Sequence, residues 1–484
     1  MDRVWVCAVG AAFVCGLLVP AGSAWAAQVT ATWTGGAGTN SYNTPGNWDV
    51  GVVPVNGATD DYLVVIGAGV TVNYDVPDGG GGNNAVTRLT LASTSTLTVQ
   101  GRHLVVNDSA AVSGRVIATS GSFTASHAAS TLTGDRAVVE ANTSSNPADS
   151  ANVTINATGT YAVTNSALAN STILSANGAN ATVSLPFLSI VGSYVDHWGT
   201  NTRTISAING GTIDLSGATV LRGGSGTSGG TDSVRVVTNT GGTVNWSNLQ
   251  QIDGYVTFTT DATVFTLPKL AQAAAVSYEL PNNATLTLPE LLTQNGGGFA
   301  VTPGSTVNAA KLQTLANAAV SFGGAGTFNA PLLKDFGGSV LTLTGTTPTV
   351  TTGGLTQIDN ARFLLSNGAT FNQIADTEYV ITASGIANTT VMSATGAGTT
   401  LDAHALTKVN SYMDEWGTNS RTISATGGGT IDLSGVTWLR GGAGTSGGTD
   451  SVRVVSNTGG TVNLSNLQQI DGYVTFATDA TTYT

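Results

Sequence analysis

Cysteine is almost missing from this chain of 484 residues: Cys7 and Cys15 are the only two, and both lie near the start. Charge is scarce as well. Only 9% of residues are Asp, Glu, Lys or Arg, and lysine occurs at 269, 311, 334 and 408 alone. Nucleic-acid binding needs clustered basic residues to displace counterions, so sparse basic residues and a net charge of −12 exclude that role. The hydrophobic fraction of 41% with so few charges argues against disorder. No apolar run beyond Ala26 is long enough to span a membrane. What remains is a chain rich in Gly, Thr, Ser, Asn and Val, a composition suited to strands and turns.

The segment 1–26 reads as a secretory signal. Arg3 is a short basic start, Val4 to Pro20 an apolar run, and Ala24-Trp25-Ala26 an A-x-A cleavage pattern. Cleavage after Ala26 would remove both cysteines, leaving no disulfide and no thiolate ligand. The expected location is outside the cell, secreted or on the surface.

Repetition dominates the rest. Leucines recur at one fixed interval, at 249, 270, 291, 312 and 333, and Leu355 follows one place late. Each stretch carries period-two alternation, such as Val256/Phe258 and Val276/Tyr278, then a polar turn and a second alternation such as Leu286/Leu288. A coil of this length cannot bury its apolar face alone, so successive coils must stack. The pattern predicts an all-β, right-handed parallel β-helix with ~21-residue coils. A leucine-rich-repeat horseshoe is disfavoured, because Gly, Thr and Val dominate and helix-forming stretches are absent.

A longer repeat is superimposed. Val191–Thr266 matches Val409–Thr484 at 62 of 76 positions. The displacement of one copy from the other predicts nine coils between them, about 40 Å at the strand spacing. The resulting division is a signal at 1–26, a capping segment at 27–76, irregular coils at 77–159, one repeat unit at 160–376 and a truncated second unit at 377–484. The second copy stops partway through a coil, so the native polypeptide is expected to continue beyond Thr484.

Residues 32–64 contain Trp33-Thr-Gly-Gly, then Gly46-Asn47-Trp48, then Pro54. This segment resembles the N-terminal segments of secreted bacterial β-helix proteins, including autotransporter passenger-like proteins. The resemblance implies a right-handed parallel β-helix displayed outside the cell, and it names no ligand. Physically, a Gly- and Pro-rich aromatic segment can cap an open first coil.

The leucine anchors at 188, 221 and 249 are more widely and less evenly spaced, and the extra residues fall in YVDHWGTNTRT and GGSGTSGGTDS. Both insertions should emerge at one corner of adjacent coils, and YMDEWGTNSRT and GGAGTSGGTDS repeat them in the second copy. They contain Asp196, His197, Trp198, Arg203, Arg222, Asp232 and Arg235, and then Asp414, Glu415, Trp416, Arg421, Arg440, Asp450 and Arg453. In a glycan-binding reading Trp198 and Trp416 stack on sugar, while Asp196, Arg203, Arg222, Asp232, Asp414, Arg421, Arg440 and Asp450 bond hydroxyls. The partner would then be an extracellular glycan or host-surface component. The plainer reading has each Trp packing its loop on the coil wall, with exposed Asp–Arg pairs of little energetic value.

A polysaccharide-degrading enzyme is the rival class, since Asp196 and Asp232 could meet across coils. Two acids per loop pair are few for that chemistry, and Glu415 replaces His197 in the duplicate, so the copies share no histidine base. Catalysis is therefore not expected. The four histidines, at 103, 127, 197 and 404, have no metal-ligand spacing, so no metal or cofactor is expected. Gly224-x-Gly226-x-x-Gly229 lacks a βαβ context, and Gly226-Thr-Ser-Gly-Gly lacks a triad. Gly223-Gly-Ser-Gly-Thr-Ser228 lacks the aspartate of a calcium nonapeptide.

Overall fold

The computed structural model describes residues 26–479, apart from 58, 79–83, 134–136, 144–148, 165–167, 194–198, 227–229, 414–416 and 445–447. The signal reading, Asp196, Trp198, Asp414 and Trp416 thus lie outside the described residues. No described helix is long and apolar enough to cross a membrane.

Every strand-to-strand pairing is parallel, between segments one coil apart, and the chain is a parallel β-helix. Each coil contributes to three walls. In the first repeat unit the first wall holds Leu188–Ser193, Val220–Arg222 and Gln251–Asp253. The second holds Asn201–Ile208, Asp232–Asn239 and Val256–Thr260. The third holds Thr212–Asp214, Thr243–Asn245 and Val264–Thr266. Period-two alternation sends every other side chain into the lumen, which is why the core is one continuous column rather than a set of local clusters.

The second wall shows the register most directly. Ile205, Val236, Phe258, Tyr278, Phe299, Val320, Leu341, Phe363, Met392 and Ile423 are partners in succession. The ladder climbs nine steps between Ile205 and its duplicate Ile423, matching the spacing expected from the repeat. All of its members are buried. Within it Phe258, Tyr278 and Phe299 stack nearly parallel, with centroids 5.7 and 5.3 Å apart. Burial pushes the Tyr278 phenol well above its ordinary range, so the ring enters the stack neutral.

The corner between the first and second walls explains the short period. Gly254, Ala275, Gly296, Asn317 and Gly338 all have positive φ, between 50° and 89°, and recur in step with the leucines. Left-handed backbone turns the chain there, at a single residue in most coils and at Gly296 and Gly297 together in one, a conformation that Gly and Asn adopt at least cost. The leucines mark another turn: Leu270, Leu291 and Leu312 each donate a backbone N–H to a carbonyl just before them, that of Leu267, Leu288 or Ala309.

The uneven spacing of the anchors at 188, 221 and 249 is corrected by the register. Val191 pairs with Leu221 and Leu221 with Ile252, so these two coils are nearly equal in length. Leu221 belongs to a first-wall strand, and Ala218 holds the turn position equivalent to Leu188 and Leu249. Alanine at an anchor site hid the regularity.

At the N-terminus, Ala27–Thr32 pairs with Asp60–Ile66, and the backbone at 40–42 bonds the strand Thr71–Tyr74. Trp33, Tyr42, Trp48 and Tyr74 pack edge to face and are buried together. Asn47, also buried, donates to the Thr39 and Ser41 carbonyls and accepts from the Ala37 amide. The WTGG…GNW segment therefore builds an irregular first turn over the aromatic end of the lumen.

Candidate functional site

The corners of the enlarged coils carry the candidate residues. Loops of adjacent coils touch at their bases. A Cβ added at Gly230 would lie 2.1 Å from the Gly199 carbonyl oxygen, and one at Gly448 would lie 1.8 Å from that of Gly417. The amides of Asn201 and Asn419 donate to Thr231 and Thr449, each at 3.0 Å. Both insertions thus leave one corner of neighbouring coils in each copy, as their placement in the sequence implies.

Arg203, Asp232, Arg421 and Asp450 are not at the surface, which corrects their assignment as ligand contacts. All four side chains are fully buried. The cause is parity. Arg203 is in phase with inward Ile205 and Ala207, and Asp232 with inward Val234 and Val236. Arg203 lies opposite Val234, so its guanidinium reaches back along the neighbouring strand to the Asp232 carboxylate. In the second copy Arg421 Nη1 lies 2.6 Å from Asp450 Oδ1.

These pairs sit directly beneath the loops. A Cβ on Gly224 would meet the Asp232 Cβ at 2.4 Å, and one on Gly442 would meet that of Asp450 at 2.5 Å. The Asp232 amide donates to Ser225 and the Asp450 amide to Ala443, both at 3.0 Å. Each buried pair therefore anchors a loop base. Asp232 is sealed against an arginine inside the lumen, where it cannot act as a general acid or base on a solvent-borne polymer.

Arg222 and Arg440 do face outward, on the first wall, and here the two copies differ. Arg222 Nη1 lies 3.1 Å from Asp253 Oδ2 on the next coil. In the second copy Trp438 stands where the first has Val220. Its indole N–H donates to Asp471 Oδ2 at 2.7 Å, and Gln469 Nε2 donates to the same oxygen at 2.7 Å. The Arg440 guanidinium instead lies over the Tyr412 ring, 4.7 Å from its centroid. Lys408 Nζ sits 5.4 Å from the Trp438 ring.

Tyr255 and Tyr473 complete the corners. Each bridges antiparallel to a loop glycine, Gly224 or Gly442. Each is also well exposed, with its ring against Gly226 or Gly444. Around Tyr473 lies a hollow of about 480 Å³ lined by Trp438, Arg440, Gly444 and Asp471. A second hollow, of about 670 Å³, lies over Arg115 and Glu140, which pair at 2.6 Å, and reaches Ser206 and Ile208 on the second wall. Among the described residues no group of His, Cys, Asp or Glu could hold a metal ion.

Trp438, Lys408, Asp471 and Tyr473 lie outside the loops to which the sequence points, and Tyr412 opens one of those loops without being singled out. The signal for two of them was the mismatch of the duplicates, Val220 against Trp438 and Ile190 against Lys408. Comparison with protein-family models, curated proteins and solved structures gives no match to this chain.

Proposed function

We propose that this chain is an exported, surface-exposed β-solenoid with a structural or adhesive role, of the kind displayed by autotransporter-like bacterial proteins. One observation carries the reading: an unbroken ladder of parallel coils presents the same enlarged corner twice, nine coils apart. A rod with repeated loops on one corner suits simultaneous contact with an extended surface, where two weak contacts gain avidity. In this reading residues 1–26 direct export, and the Trp198 and Trp416 loops reach an extracellular glycan.

The test uses the native host cell. Brief protease treatment of intact cells should degrade or release the chain while a cytoplasmic marker stays whole. Degradation only after lysis would contradict surface display. Adhesion of purified residues 27–484 to glycan-coated surfaces should fall at least tenfold with Trp198→Ala and Trp416→Ala together. New reducing ends or unsaturated products on incubation with polysaccharide would instead indicate the degradative class.

A further inference from the structure

We infer that the first wall of the second repeat unit, and not that of the first, carries a binding site for a neutral saccharide, formed by Trp438, Arg440, Tyr412, Asp471 and Tyr473. The inference rests on the adhesive reading only for the source of its ligand, since the site itself is argued from the divergence of two nearly identical copies.

Val220 and Trp438 occupy the same place on the first wall, in the outward phase. With valine there, Arg222 and the next-coil Asp253 form an ion pair. With tryptophan, the indole N–H and Gln469 take Asp471. Arg440 makes no ion pair among the described residues and rests on Tyr412. The Arg222–Asp253 ion pair thus has no counterpart among the described residues of the second unit, where Asp471 accepts from Trp438 and Gln469 and Arg440 lies over Tyr412.

The aromatic side chains of this wall select the ligand. Tyr412 lies under Arg440 and is still 52% exposed, so much of its ring is open to a ligand. The hollow of about 480 Å³ is within the range of small-ligand sites. A pyranose ring has an apolar face of C–H groups and a rim of hydroxyls. It can lay that face on an aromatic ring while its rim bonds Arg440, Lys408 and Asp471. The charges along the wall, Glu378, Lys408, Arg440 and Asp471, balance, so the site offers no net attraction to a polyanion. In the first unit Ile190 and Val220 replace Lys408 and Trp438, which removes an ammonium donor and the indole.

The experiment titrates purified residues 27–484 with cellohexaose, mannohexaose and trigalacturonate, following tryptophan fluorescence and heat of binding. At least one neutral oligosaccharide should bind, and Trp438→Val, which copies the first unit, should weaken it at least tenfold with an unchanged unfolding midpoint. Arg440→Gln should weaken it as well, whereas Arg222→Gln should not. Undiminished binding in Trp438→Val would overturn the inference. If Trp198→Ala with Trp416→Ala abolished binding while Trp438→Val did not, the loops would hold the ligand and the adhesive reading would survive alone. Binding of trigalacturonate only, or of none of the three sugars, would also overturn the site.

Discussion

Asp232→Ala is expected to destabilise the solenoid by about 3–5 kcal/mol, because it leaves the Arg203 guanidinium buried without its carboxylate. The two side chains are wholly inside the lumen, so water cannot take the place of the lost partner. Replacing both, as Arg203→Met with Asp232→Leu, should restore most of that loss, since apolar side chains of similar volume need no desolvation of charge. Urea unfolding of the three proteins, followed by circular dichroism, measures the difference. A loss below about 1 kcal/mol for Asp232→Ala would place the pair at the surface instead, where ion pairs contribute little. The second copy provides a replicate in Asp450→Ala. Because these pairs underlie the loops, local proteolysis near 223–231 should rise in the single variant more than global unfolding does.

The second large effect compares the two phases of one wall. Ile252 is buried, covered by Ala273, its partner on the next coil, whereas Val220 on the preceding coil stands in the outward phase. Ile252→Ala should therefore cost about 2–5 kcal/mol, the usual loss for a large aliphatic side chain in a packed core. Val220→Ala should cost well under about 1 kcal/mol. Equal losses would mean that the wall has no inward phase, which would remove the reason for stacking.

Much of the architecture was legible because a solenoid writes its fold into its period. The leucine turn, the Val256/Phe258-type alternation and the duplication of 191–266 at 409–484 each correspond to a physical device: a wall corner, a lumen-facing pair and a nine-coil offset. The left-handed corner at Gly254, Ala275, Gly296, Asn317 and Gly338 was present at the same period but less visible, since three residue types share it. Alanine at 218 similarly concealed a turn that leucine marks elsewhere.

The site was less legible, for two reasons. Charge was read as exposure, although Arg203-x-Ile205-x-Ala207 and Asp232-x-Val234-x-Val236 place the charged residue in the apolar phase. Parity outranks polarity when a partner of opposite sign stands one coil away. The first-wall ladder was invisible for a different reason. Lys408, Trp438 and Gln469 are neighbours only through the register of the enlarged coils, which depends on loop lengths that no local pattern reveals.

The central claim is that the two repeat units are stacked along one axis, nine coils apart, in a single parallel helix. Residues 27–484 contain no cysteine, so spin labels can be placed uniquely at Thr204→Cys and Thr422→Cys, outward positions on the second wall. Pulsed dipolar spectroscopy should give one narrow distribution centred at about 43 Å, the strand spacing multiplied along the ladder. A distance below about 25 Å, where nine strand spacings cannot fit, or a broad distribution without a maximum, would contradict the coaxial stack.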